Sequence, residues 1–380
     1  VLTSTTATAA AALPKAGGTM TGVIAGFTST GIDDNATSTA ITIDASENVG
    51  IGVTPETDWH SGKEAIQLGV GASIYGDTTA TGNQISANAK STLGSTLNGY
   101  KYISTDKAST YHQYDGAHNF RVAASGSADA AISWNTAMTI NNTGNVGIGV
   151  LPETSGSNYN VLQIGQGGSL MAPTATEDMY VGSNVYRNSS NTNSYIVTEK
   201  ASIYEQYNGE HYFNVAPSGS ADAAISFAQG MKISNAGIVT KPLQPAFMAR
   251  AVGATNLSTG TWHTLAFGNE RFDNNNDFSS NTFTAPATGK YQMNVFIRLH
   301  SIDNSGHYYF LTLDTSNNTY YHIHGANGWS NDPDYHTIGS SYVADMDAGD
   351  TATVSFYQAS GSAQTDVQAN EGYFSGCLVA

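Results

Sequence analysis

The sequence predicts an all-β chain, with two small β modules in tandem followed by a β sandwich. Three observations carry that reading. The 380 residues include 40 Gly and 21 Tyr but only 12% charged side chains, about half the roughly 25% of an average soluble domain. A surface that is polar without being ionic rests on Ser, Thr and Asn, which with Tyr favour strands and turns over helices. A long internal repeat and a period-2 alternation of apolar residues supply the other two.

The repeat sets the modules. "ENVGIGVTPE" from Glu47 returns as "GNVGIGVLPE" from Gly144, and "KASTYHQYDGAHNFRVAASGSADAAISW" from Lys107 returns as "KASIYEQYNGEHYFNVAPSGSADAAISF" from Lys200. A truncated third echo, "MKISNAGIV" (231 to 239), parallels "MTINNTGNV" (138 to 146) and "ITIDASENV" (41 to 49). The period exceeds the roughly 20 to 50 residues of ordinary solenoid units, so each copy is expected to be a small β domain. The expected division is an N-terminal attachment segment 1–40, modules 41–143 and 144–240, and a C-terminal domain 241–380. The boundary peptide alternates, with Ile41, Ile43, Val49, Ile51 and Val53 on one side and Thr, Asn or Gly on the other, a strand and turn pattern. Glycines 50, 52, 147 and 149 interrupt it. Strand glycine is favoured where another backbone comes close, so these positions read as necks where several chains meet, or else as plain Gly-rich linker.

The "KPLQP" stretch (241 to 245) marks the last boundary. Beyond it, "YQMNVFIRL" (291 to 299) places Tyr291, Met293, Val295, Ile297 and Leu299 on one face, and "HYYFLTL" (307 to 313) and "TATVSFY" (351 to 357) read as further strands. About eight to ten such segments suit a jelly-roll sandwich.

Composition also excludes classes of partner. The formal net charge is −16, with only 14 Lys and Arg, which argues against nucleic acid and anionic membrane surfaces. No apolar run approaches the roughly 20 residues of a spanning helix, so no membrane insertion is expected. The opening "VLTSTTATAAAAL" lacks the basic start of a signal peptide. A first residue other than Met is expected of a fragment or processed product. Cys377 is the single cysteine, so no internal disulfide forms, and its apolar neighbours read it as a small buried residue.

Two stretches resemble known families. "LPKAGGTMTG" (13 to 22) and the "GNVGIGV" peptides resemble segments of bacteriophage tail fibres. From "FTAPATGKY", with Phe283, Ala285, Pro286, Gly289 and Tyr291, through "AGDTATV", with Gly349 and Asp350, to "GYFSGCLVA", with Phe374, Gly376 and Leu378, the C-terminal third resembles the C1q/TNF-like trimeric jelly roll. The absence of a collagen-like stalk and of a cysteine framework departs from the secreted animal proteins of that family. The resemblance implies a homotrimer with an inner sheet round the three-fold axis and both domain termini at its base. The tandem modules would then form a trimeric fibre leading to a C1q-like tip.

No Ser nucleophile elbow, HExxH, Walker loop or dinucleotide-binding glycine motif occurs, so no enzyme is expected. The paired acids Asp332 and Asp334, or Asp345 and Asp347, read as solvated loop carboxylates, against the two carboxylates about 5 to 10 Å apart that a glycan-cleaving cleft needs. His322 and His324 point the same way on a strand, which makes them candidate metal ligands on the axis of a trimer, or a surface pair if the resemblance places their strand on the outer sheet. Otherwise no cofactor is expected.

Strand parity puts the connections 300–306, 325–335 and 358–371 together at the end far from the base. The first contains Asp303 and Asn304; the second contains Trp329, Asp332, Asp334 and Tyr335, followed by His336. An aromatic amid Asn and Asp suits a glycan site, where the ring stacks on sugar C–H groups and polar groups orient hydroxyls. The alternative is a hydrophilic loop whose Trp folds back to cap the sandwich. The reading is a virion tail fibre that adsorbs to a host-cell glycan or protein receptor and joins other tail proteins through its N-terminal segment. The alternatives are a purely structural fibre and a capsule-depolymerising tailspike.

Overall fold

The structure, a computed structural model, describes residues 39–78, 81–92, 99–326 and 329–380. Residues 1–38 of the expected attachment segment lie outside the described residues. The chain divides into two compact units, Val1–Asn142 and Thr143–Ala380. Every regular element described is a strand.

The first unit is an eight-stranded meander in chain order. Ile41–Ile43, Val49–Ile51, Lys63–Leu68, Ala72–Asp77, Gly82–Ala87, Asp106–Tyr114, Ala117–Gly126 and Asn135–Ile140 each pair with the next. All pairs are antiparallel except Val49–Ile51 with Lys63–Leu68, which run parallel. Connections lie across one face and close a small core on Trp59, Tyr75, Tyr100, Tyr102 and Ile132.

Alternation is clean, but its sense is the reverse of the usual one. In "KEAIQL" (63 to 68) Lys63, Ala65 and Gln67 are buried while Glu64, Ile66 and Leu68 face out. The covered face carries Gln84, Ser86, Thr110, His112 and Arg121, joined by bonds such as Tyr75 OH to Gln84 Oε1 at 3.0 Å and Ser86 Oγ to Thr110 Oγ1 at 2.8 Å. Such a layer depends on its members satisfying one another, and here Arg121 Nε is left without a partner among the described residues.

His112 makes this layer pH-sensitive. Its Nδ1 lies 3.1 Å from Arg121 Nη1; burial, then the charges of Arg121 and Lys63, push its pKa down to about 4 from 6.5. The unfolded chain therefore binds the extra proton first, and stability drops as pH falls from about 6.5 toward 4. His112→Gln should flatten the decline of melting temperature over that window. An unchanged slope would assign the acid sensitivity to other groups.

The boundary glycines have a local cause, which corrects the expectation of necks between chains. A Cβ at Gly50 would collide with the Val53 carbonyl and the Pro55 ring, and Gly52 has a φ of +68°. The backbone that comes close is the chain's own, turning sharply after the strand. Gly147 and Gly149 repeat this geometry against Val150 and Pro152.

In the second unit the repeat recurs as Val146–Ile148, Tyr159–Ile164, Gly168–Pro173, Met179–Ser183, Glu199–Tyr207, Glu210–Gly219, Ala228–Ile233 and Val239–Thr240, again paired in order. After Pro245 the chain forms a two-sheet sandwich. One sheet runs Phe267–Asp273, Ala246–Ala251, Tyr373–Leu378, Gly289–His300, Tyr335–Met346. The other runs Phe278–Ser279, Thr282–Thr284, Thr351–Gln358, Tyr308–Thr315, Thr319–Gly325. Several neighbours come from distant parts of the chain, such as Ala246–Ala251 beside Tyr373–Leu378 and Thr282–Thr284 beside Thr351–Gln358, as in a jelly roll.

Tyr291, Met293, Val295, Ile297 and Leu299 all face the core, as the period-2 reading of that strand requires. Phe247 lies against Phe278, Phe283 and Phe374 with ring centroids 4.8 to 4.9 Å apart, each such pair adding about 0.5 to 1.5 kcal/mol beyond area burial. Cys377 is half-buried on the opposite face of its strand from Phe374 and Gly376, and so lies outside the core that its apolar neighbours suggested.

Candidate functional site

The three connections at one end of the sandwich are bonded to one another. Ile302 N donates to Pro333 O at 3.2 Å, Asn304 N to Asp332 Oδ1 at 2.9 Å, Gln364 Nε2 to Asp332 Oδ2 at 3.0 Å and His307 N to Ser360 Oγ at 3.1 Å. Asp303 is the centre of the tie. Its buried carboxylate accepts from Ser305 N at 2.8 Å, Ser305 Oγ at 2.7 Å and Ser362 N. Burial alone would raise its pKa, but the bonds from Ser362 and Ser305 outweigh that and hold it low. Asp303 and Asp332 therefore build the loops, since both oxygens of each already accept bonds from protein groups.

Trp329 is half-buried against the sandwich core. Its ring lies 5.3 Å from His324, 5.2 Å from His336 and 6.2 Å from Tyr309. His324 and His336 approach to 4.3 Å. Burial holds both below the usual imidazole range, with the charges of His336 and His322 adding to the effect at His324.

His322 and His324 occupy the inward positions of the edge strand Thr319–Gly325, while Tyr321 and Ile323 face out. Among the described residues no third His, Cys or carboxylate completes a metal-ligand set with them. The grouping that has such spacing is Glu56, Asp58 and Asp129 in the first unit. A cation already sits there: Lys90 Nζ lies 2.7, 2.8 and 2.7 Å from Glu56, Asp58 and Asp129.

Sequence reasoning named Tyr335 but not the residues that surround it. Tyr335 is 50% exposed on the outward face of the sheet, opposite His300 in register, with ring centroids 4.8 Å apart. The Arg298 guanidinium lies 4.0 Å from the Tyr335 centroid and pairs with Glu371 at 2.6 Å. His300 Nδ1 is 3.5 Å from Asp366 Oδ2. "IRLH" carried a signal, because Arg298 and His300 stand two apart on the side away from the apolar set. Asp334 and Asn304 adjoin this platform through the bonded loops, with Ser301 N donating to Asp334 O at 3.1 Å.

The half-exposed ring, the planar cation over it and the two carboxylates offer apolar, donor and acceptor groups side by side at the surface. Asp345, of the other acid pair, is bound to Lys290 at 2.6 Å.

No protein-family model matches the chain, and no curated protein matches it. Solved structures do. The globular domain of zebrafish complement 1qA protein is 16% identical with a TM-score of 0.28, covering 36% of this chain and 98% of its own. Murine APRIL at pH 8.0 is 11% identical with a TM-score of 0.27, covering 35% and 99%, and its pH 8.5 form is 10% identical with a TM-score of 0.25 over the same shares. Each of these matches spans about a third of this chain. The sheet order given above carries the fold assignment.

Proposed function

We propose that this chain is a non-enzymatic adhesion protein, a homotrimeric bacteriophage tail fibre that adsorbs to a host-cell surface glycan through the loop end of its sandwich. In this reading residues 1–40 join it to other virion tail proteins, modules 41–143 and 144–240 form the shaft, and domain 241–380 is the tip. The exposed Tyr335 platform, with Arg298, His300 and Glu371 about it, is the observation that supports binding at this end. Three weak sites on one assembly gain avidity through effective concentration. Binding, rather than cleavage, agrees with the engagement of Asp303, Asp332 and Asp345 in bonds within the fold.

Two variants of the full chain test the reading. Tyr335→Ala removes a half-exposed ring and its contacts with Arg298 and His300, so stability should fall by only about 1 kcal/mol while adsorption to host cells falls at least about tenfold, as for an aromatic hot spot. Trp329→Ala should instead lower the melting temperature, costing about 2 to 3 kcal/mol, somewhat below the roughly 3 to 5 kcal/mol of a fully buried Trp. Adsorption unaffected by Tyr335→Ala would remove the platform from the site.

A further inference from the structure

We infer that the apolar faces of the two repeat modules are docking surfaces for other copies of this chain, so that each module completes its core only by self-association. The inference rests on the homotrimer reading above and names the surface that reading left unassigned.

In the first unit, register aligns Ile66, Ile74, Ile85, Tyr111, Phe120 and Met138 as one row across six strands. Ile85 and Phe120 are 51% and 41% exposed, and Ile43, further along the same row, is 69% exposed. A parallel row two residues along the strands adds Ile51, Leu68 and Val122. The exposed Ile, Leu, Val and Phe side chains of this face lie side by side, a contiguous apolar patch of the kind that marks an interaction surface.

The occupant follows from charge and from the repeat. Copies carrying a net charge of −16 repel one another, yet neither row bears a charged side chain, so this is where like-charged copies meet at least electrostatic cost. The second unit presents the same row as Leu162, Leu170, Val181, Tyr204, Phe213 and Met231. Tyr, Phe and Met stand unchanged at the last three positions. On the covered face, by contrast, His112 and Arg121 of the first repeat give way to Glu205 and Asn214 of the second. The side that faces water thus stays apolar in both repeats, while these two charged or titratable groups of the covered side do not recur. An apolar face of the same pattern presented twice per chain fits a symmetric partner, another copy, better than two unrelated ligands.

The test uses the intact chain with Ile85→Lys and Val181→Lys together. At an exposed position of a monomer these changes shift stability little, whereas between copies they bury unpaired charge. The wild type should sediment as a multiple of 39.8 kDa. The double variant should dissociate at a concentration at least about tenfold higher, or, if the sandwich holds the copies together, melt several degrees lower with unchanged far-UV dichroism. If the Lys variant fails to fold, Ile85→Thr with Val181→Thr keeps strand preference and should shift assembly or melting in the same direction. A monomeric wild type, or assembly and melting unaltered in the variants that fold, would overturn the inference. Adsorption of Tyr335→Ala is read separately: its loss with assembly unchanged in the row variants leaves the adhesion reading standing without this one, and the opposite pattern does the reverse.

Discussion

Lys90→Met should destabilise the first unit by about 3 kcal/mol, the lower end of the range for removing one partner of a buried ion pair. Lys90 is 1% exposed, yet its ammonium stays charged because three carboxylates surround it at 2.7 to 2.8 Å. Burial alone would depress its pKa; the bonds to Asp129, Asp58 and Glu56 outweigh burial and hold it above the ordinary lysine value. Asp58 answers in kind, lowered by Lys90 and Lys101 against its own burial. Removing the cation leaves three like charges facing one another, and the outer ends of the carboxylates, which reach water, keep the loss from being larger. The vacated oxygens lie within 4.8 Å of one another, a span that a hard divalent cation bridges. Millimolar Ca²⁺ should therefore restore part of the variant's melting temperature and leave the wild type unchanged. Equal response of both proteins to Ca²⁺, or no loss in Lys90→Met, would show that the ammonium is not what neutralises the cluster. The second repeat puts a phenol in place of the ammonium at the corresponding short strand, where Tyr186 OH donates to Asp222 at 2.8 Å, and burial, then the contact with Asp222, pushes that phenol up to about 12.

Asp303→Ala should cost about 3 kcal/mol and loosen all three loops at that end of the sandwich. The change strands Ser305 N and Ser362 N, and bonds to an ionised acceptor are worth roughly 1.5 to 3 kcal/mol each. Gly361 adopts φ +90° beside the carboxylate, where a Cβ would collide with it, so the turn is shaped round this one side chain. Tyr309 OH, which donates to Asp303 O at 2.5 Å, keeps its partner because that acceptor is backbone. Asp303→Asn retains one oxygen acceptor but turns an amide toward Ser362 N, and should fall between alanine and wild type. Because the folded-state pKa lies below the ordinary aspartate value, this contribution is complete above the unfolded pKa and is lost as pH falls below it. Amide exchange at Ser305 and Ser362 measures the loosening; protection unchanged in Asp303→Ala would remove this carboxylate from its structural role.

Neither Lys90 nor Asp303 announced its part in the sequence. A lysine in "NAKST" (88 to 92) and an aspartate in "SIDNS" (301 to 305) look like solvated loop residues, and only the chain folding back from Glu56 and Asp129, or from Ser362, makes them buried hubs. Trp329 was open to two readings for a similar reason: whether an aromatic in a loop reaches into solvent or lies on His324 and His336 depends on the path of that loop. The Tyr335 platform joins residues from 298, 300, 335 and 371, which only register and loop closure bring together.

The sequence by itself determined the strand-rich class, the duplicated module and the core face of 291–299, because period, composition and self-similarity are local properties of the chain. It determined equally that Ile41, Ile43 and Ile51 share one side of their strands. Only the tertiary structure decided which side is covered. Alternation fixes two faces without saying which one the connections will cross, and here Trp59, Tyr100, Tyr102 and Ile132 close over Gln84, Thr110 and Arg121. The isoleucines are left in water, where the hydrophobic effect favours a further partner.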